Sequence, residues 1–396
     1  MEGFISSKID HFMKAGSFIR KMFEEGAAMK AKYGNENVFD FSIGNPMGNP
    51  PKKFIDGLRA VIDTPIPGKH SYMPNSGYPH VRENLAAVLA TDLNAPLEAK
   101  HLIMTVGAAG ALNVALKSVV NAGETILIFA PFFVEYKFYA DNVGARCEVV
   151  ETDSEFNIDI DAVEKALKPG VKAMIVNTPN NPTGRVYPRD TLMALGRLVD
   201  RKSEEFGHPI YIISDEPYKR IVYGDVDVTS LFDISPNTII CTSYSKELCI
   251  PGERLGYIAV NPRCEGAQKI IDAATFCNRI LGFVNAPALM QRALGENPGE
   301  SVDITGYTEN RNLLLNELTA MGYSIIPPEG AFYLFPKSPI ADDVAFVDEL
   351  KKEKVLVVPG TGFGRSGYFR ISYCVTRDAI ERSLPGFKRA IDRIKN

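Results

Sequence analysis

Ala173-Met-Ile-Val-Asn177 and Ile210-Tyr-Ile-Ile-Ser214 are two short apolar runs separated by the stretch from Arg189 to Phe206, in which Leu192, Leu195, Leu198 and Val199 recur at helical spacing. Neither run alternates apolar with polar side chains, as a strand covered on both faces would not. A helix between two such strands is the crossover that parallel neighbours require. The same rhythm continues outward on both sides. Strand runs occur at 102–106, 125–129, 145–150, 238–244 and 256–260, with helical patterns at 110–120, 160–167 and 263–280. The pattern predicts an α/β fold with a mainly parallel central sheet.

After about residue 286 the pattern changes. A long helical stretch at 306–321 is followed by short strand candidates near 323–326 and 331–334, a helix after Asp343, and strands at 355–358 and 368–373. This is α+β material and predicts a second, smaller domain. The helical stretch from Phe12 to Lys32 is too short to fold alone and is expected to pack against the C-terminal part. The expected division is a large domain over 48–285 and a small one formed by both chain ends, 1–47 and 286–396.

Composition narrows the function by exclusion. Net charge is −4 over 396 residues, with no basic field of the kind that nucleic-acid binders carry. No stretch of eighteen apolar residues occurs, which argues against a membrane span. Glu2, Lys8, Asp10 and Lys14 interrupt the N-terminus, so no signal peptide is expected. The six cysteines (147, 241, 249, 264, 277 and 374) form no C-x-x-C pair and no zinc spacing. They read as reduced thiols of a cytoplasmic protein without a metal site.

Open parallel sheets bind ligands at the carboxyl ends of their strands. The segments that follow the strands are Gly107-Ala-Ala-Gly110, Pro131-Phe-Phe133, Asn177-Thr-Pro-Asn-Asn-Pro-Thr-Gly184, Asp215-Glu-Pro-Tyr218 and Ser243-Tyr-Ser-Lys246. Gly107 to Gly110 opens a helix, where small residues and free N–H groups suit a phosphate, although taken alone the glycines are better read as a plain tight strand-to-helix turn. Gly362-Phe-Gly364-Arg-Ser-Gly367 matches a dinucleotide fingerprint, but a strand follows it instead of the helix the fingerprint needs. Ser243-Tyr-Ser-Lys246 matches S-x-x-K, yet its companion S-D-N and K-T-G elements are missing. Lys246 lies between two apolar strands, where loss of solvent lowers its pKa and makes it a Schiff-base candidate rather than a surface lysine. The two serines and Arg254 suit a phosphate. Asp215 ends a buried strand and calls for a cationic partner, either a structural ion pair or a protonated ring nitrogen. Tyr218 is three residues on. Phe133 fits a core position or a ring stack.

Taken together, Lys246, Asp215, Asn181 and Arg370 make the chain resemble the fold-type I, class I/II pyridoxal phosphate-dependent aminotransferases of the aspartate aminotransferase kind. The resemblance runs from Phe41-Ser-Ile-Gly-Asn-Pro46 to Phe369-Arg370-Ile-Ser372. Its most specific part is Ser243-Tyr-Ser-Lys-Glu-Leu-Cys-Ile-Pro-Gly-Glu-Arg-Leu-Gly256, in which Cys249 replaces the family's usual small residue. The resemblance implies that Lys246 carries pyridoxal phosphate and shuttles the substrate proton, and that Asp215 pairs with the ring nitrogen. It also implies that Asn181 and Tyr218 bond the ring oxygen and that Phe133 stacks on the ring. Ala108, Ala109, Ser243, Ser245 and Arg254 would hold the phosphate. Gly44 and Arg370 would meet the substrate, Arg370 at its α-carboxylate. Tyr72 matches the tyrosine that reaches the neighbouring subunit's phosphate, which implies a homodimer.

The implied substrates are an L-amino acid and a 2-oxo acid, with aspartate the leading donor. Alanine, other neutral or aromatic amino acids, and a pyridoxal phosphate lyase of the same fold stay open as alternatives. One aspartate-using branch has a lysine where this chain has Ala109. In another branch a partner arginine precedes the Asn-Pro segment. Arg279 is near that place but out of register, and is equally well read as a solvated helix-end residue.

Overall fold

A computed structural model describes residues 4–15 and 18–395. The strands, in chain order, are β1 (Phe39–Asp40), β2 (Leu102–Val106), β3 (Thr125–Ala130), β4 (Arg146–Glu151), β5 (Val171–Asn177), β6 (Tyr211–Asp215), β7 (Thr238–Ser243), β8 (Leu255–Val260), β9 (Tyr333–Leu334), β10 (Val355–Leu356), β11 (Val358–Pro359) and β12 (Phe369–Ser372). Seven of them form the central sheet in the order β2-β8-β7-β6-β5-β3-β4. The pairings among β3 to β7 are parallel, whereas β8 runs antiparallel to both β7 and β2.

The unbroken apolar runs explain the layering, because successive side chains point to opposite faces. Ile126, Ile128, Ile175, Ile213, Ile239 and Ile258 enter one buried cluster beside Leu112, Ala115 and Leu116 of the helix Gly107–Val119. Their neighbours Leu127, Phe129, Met174, Val176 and Ile212 enter another cluster, against Leu192, Leu195 and Leu198 of the helix Arg189–Phe206. Each such side chain contributes about 1.5–3 kcal/mol when fully buried.

A separate aromatic-rich core, including Phe332, Tyr333, Phe346, Phe369 and Phe387, surrounds the small sheet β11-β12-β9. Met22 joins this core, and β1 pairs with β10, so the N-terminal segment packs against the C-terminal part. The expected helix from Phe12 to Lys32 is resolved as Ser7–Ala15 and Phe18–Tyr33, with residues 16–17 outside the described residues.

Two expectations need correction in detail. No strand forms at 323–326: Pro327 and Pro328 follow at once and cannot donate to a ladder, and only the Ser324 carbonyl takes a bond, from Lys337 N at 2.9 Å. The helix Ala288–Gly295, expected in the small domain, instead buries Ala293 and Leu294 beside Phe54, Val81 and Leu85 of the helices Lys52–Asp63 and Pro79–Asp92. The packing there does not change at residue 286. Residues 360–363 form a 3-10 turn followed by β12, so the dinucleotide-like glycines open no helix. Among the described residues no helix is long and apolar enough to cross a membrane.

Candidate active site

The carboxyl ends of β5, β6 and β7 and the start of the helix Gly107–Val119 open into a cavity of about 290 Å³. Its floor comes from the central sheet and its roof from Gly44, Tyr333 and Arg370 of the other core. Twelve of the thirteen sequence-selected residues line it. Ala108, Ala109, Phe133, Asn181, Asp215 and Tyr218 do so from one group of strand ends; Ser243, Ser245, Lys246, Arg254, Gly44 and Arg370 complete the set. Tyr72 does not belong to it and is 92% exposed. Arg279 is also outside, its guanidinium 5.1 Å from the Phe276 ring.

Asp215 ends β6 in full burial. Its Oδ2 accepts from the Tyr136 hydroxyl at 2.5 Å, and its Oδ1 has no partner among the described residues. Burial lifts the carboxyl to about 7, against the opposing effect of the Tyr136 bond. Neighbouring Asn177 donates to the Asp215 carbonyl at 2.9 Å and accepts from Asn181 N at 2.7 Å, which fixes the two strand ends together.

Lys246 lies in the one-turn helix Tyr244–Glu247 that follows β7. Its amine donates to the Gly44 carbonyl at 2.6 Å, and burial lowers its pKa from 10.5 to about 8. Gly44 is required for space, since a Cβ there would collide with the Tyr333 hydroxyl. That hydroxyl bonds the Tyr218 hydroxyl at 2.7 Å, and burial raises the Tyr218 pKa further from its ordinary value.

Arg370 is buried in β12. It donates to Asn181 Oδ1 at 2.9 Å and to the Ser42 carbonyl at 2.6 Å, while its Nε has no partner. Tyr333 and Phe363 flank its guanidinium at 4.6 and 4.8 Å. Arg254, which lines the same cavity, approaches Gly107 so closely that a Cβ on Gly107 would lie 2.9 Å from Nη2. Gly107 also has φ +66°, so only glycine is comfortable there.

Several polar anchors escaped the sequence reading. Tyr136, Tyr333, Asn177 and the Ser42 carbonyl all orient the selected side chains.

A buried carboxylate oxygen without a partner among the described residues, an amine of lowered pKa and two arginines in one cavity suit a cationic ring that bears a phosphate, together with a carboxylate substrate. On this α/β scaffold that is the fold-type I arrangement of pyridoxal phosphate enzymes. The profile of the aminotransferases of class I and II matches residues 36–385. The probable aspartate aminotransferase of Methanocaldococcus jannaschii is 30% identical over 363 residues, 88% of this chain and 92% of the relative. The aspartate aminotransferase of Thermotoga maritima is 31% identical, covering 96% of each chain. The crystal structure of an amino transferase from Eubacterium rectale, 37% identical, superposes over 100% of both chains with a TM-score of 0.96. The chain belongs to the class I and II aminotransferases. It is a pyridoxal phosphate-dependent enzyme that transfers an amino group between an amino acid and a 2-oxo acid.

Proposed function

We propose that aspartate is the leading amino donor, and that the residues selected from the sequence carry the reaction in the roles their positions suggest. The observation that carries the assignment is the orphaned Oδ1 of Asp215, aligned in one cavity with Lys246 and Arg370. When bound, pyridoxal phosphate supplies an electron sink for the carbanion left at the substrate's Cα. Asp215, charged beside a cationic ring nitrogen, retains that nitrogen's proton. The rise of its pKa to about 7 comes from burial, which a neighbouring cation would oppose.

Lys246, whose pKa burial lowers to about 8, would hold the cofactor and then take and return the substrate proton from a fixed place. Arg254, Ser243, Ser245 and the N–H groups of Ala108 and Ala109 neutralise the phosphate at a helix start. Asn181 and Tyr218 would bond the ring oxygen, and Phe133 would cover a ring face. Arg370, already desolvated and with Nε free, binds the α-carboxylate, and Gly44 leaves room above the substrate.

The names of the relatives favour aspartate. One observation favours neutral amino acids as a second reading: Ala109 lines the cavity at the position where one aspartate-using branch has a lysine, and Leu112 and Ile43 add apolar lining. We also propose a cytoplasmic homodimer in which Tyr72 reaches the neighbouring site, with a large domain beginning at residue 48 and a small domain built from both chain ends. A half-reaction screen tests the substrate. Holoenzyme is mixed with each amino acid in turn, and loss of the visible cofactor band is followed. Aspartate is expected to react fastest; a faster reaction with alanine or an aromatic amino acid moves the assignment to the second reading. Ammonia and pyruvate released without any acceptor would indicate a lyase.

A further inference from the structure

Behind the active site is a second cavity of about 250 Å³, lined in part by Asp92, Arg220, Tyr244 and Glu247. It is built by the same two segments that deliver cofactor-facing side chains. Lys246 faces the active cavity, and the next residue, Glu247, faces the rear one. Tyr218 faces the active cavity, and Arg220, two residues on, faces the rear one. There the two segments are joined. Arg220 Nε meets Glu247 Oε1 at 2.7 Å, with Glu247 only 16% exposed. A second guanidinium nitrogen pairs with Asp92, the last residue of the helix Pro79–Asp92.

We propose that Glu247 and Arg220 are positioning residues for transamination, their ion pair fixing the turn that presents Lys246 against the segment that presents Tyr218. The helix Tyr244–Glu247 has four residues and cannot hold its own orientation. Among the described residues two polar links tie its far end on this side: the Arg220 pair, and the Glu247 carbonyl accepting from Val302 N at 2.8 Å. The segment after β6 is held likewise, by the Arg220 guanidinium and by Ile221, whose carbonyl accepts from Ala331 N at 2.9 Å. Burial pushes the Glu247 carboxyl up to about 7 against the pull of Arg220 and Lys219, so the ionic form depends on its partner. Loss of Arg220 leaves the Glu247 carboxylate in the wall between the cavities without its guanidinium partner, and loss of Glu247 leaves Arg220 tied to Asp92 alone. Lys246 then loses the fixed distance on which proton transfer depends.

This inference rests on the reading of Lys246 as the cofactor lysine, and the test separates the two. Borohydride reduction of wild-type holoenzyme followed by peptide mapping locates the cofactor-bearing lysine. A label elsewhere than Lys246 refutes that reading whatever Glu247 does. With the label on Lys246, Glu247→Gln is expected to lower kcat roughly 10- to 100-fold with little change in KM. It should also shift the midpoint of a pH titration of the bound cofactor's visible band. Glu247→Asp should recover part of both. Combining Glu247→Gln with Arg220→Gln should cost no more than the worse single change, as expected for one shared interaction. If Glu247→Gln does not accumulate folded, Arg220→Lys, which keeps the charge but not the fork, is read by the same kcat and titration. Unchanged kcat and midpoint, or fully additive losses, would overturn the proposal.

Discussion

The Tyr136 hydroxyl donates to Asp215 Oδ2 at 2.5 Å and leaves Oδ1 of the same buried carboxylate with no partner. One oxygen is spent on orientation, so the other is kept available at a fixed angle. Removing the donor as Tyr136→Phe should raise the Asp215 pKa, since the bond opposes the effect of burial. Affinity for pyridoxal phosphate and kcat should each fall about tenfold, the worth of a hydrogen bond to a charged group. Equilibrium dialysis of the cofactor and steady-state kinetics measure the two effects.

Asp215→Asn separates stability from activity. In the apoprotein the folded pKa is about 7 against 3.8 for a free carboxyl, so between those values the native state keeps a proton that the unfolded chain has lost. Stability from this group is present at low pH and declines as pH rises through the window. The asparagine variant lacks the decline. Its Tm minus that of wild-type apoprotein should therefore grow from about pH 4 to about pH 7 and then level off, while holoenzyme activity drops roughly 100-fold or more. Calorimetry of both apoproteins across pH reads the difference, and a flat one would place the charged form in the native cavity.

Lys246 gives a second pH signature. Burial holds its amine near 8 instead of 10.5. The nucleophilic neutral form therefore becomes dominant about two units earlier than in a free lysine. The rate at which apoprotein takes up pyridoxal phosphate should climb with pH in proportion to neutral amine and flatten above about 8. A climb that continues toward 10 would mean that the amine is solvated.

Much of this site was legible because a parallel sheet brings strand ends together. Asp215, Lys246 and Asn181 are far apart in sequence but each follows an apolar run, and the order of runs predicts their convergence. Tyr333 and Ser42 were not legible. Tyr333 falls in the strand expected at 331–334, but an apolar run does not single out its hydroxyl, and Ser42 contributes only a carbonyl, which no side-chain motif can report. Tyr136 is similar, since its helix Glu135–Asn142 shows no chemistry until the sheet places it over Asp215. The small domain was read least well. Its strands are two to four residues long, and proline, not side-chain pattern, decides that 323–326 stays out of the sheet.

Arg370 is held between two aromatic rings and gives two of its bonds to Asn181 and Ser42. Its geometry therefore matters as much as its charge. Arg370→Lys keeps a cation but loses the planar fork, and kcat/KM should fall roughly 100-fold for every amino acid tested, mostly through KM. A loss confined to one donor would assign Arg370 to the side chain and not to the α-carboxylate.

Tyr72 is fully formed on the surface of its own chain yet absent from its own cavity. If it completes the neighbouring site, defects at Tyr72 and Lys246 must complement each other. In a hybrid of a Lys246→Ala subunit with a Tyr72→Ala subunit, one site collects both defects. The other combines an intact Lys246 with an intact Tyr72 from across the interface. Equal amounts mixed through unfolding and refolding give hybrids as half of all dimers, so activity should return to about a quarter of wild type. If Tyr72 served its own chain, every site in the hybrid would carry one defect, and the mixture would be no more active than the average of its two parents.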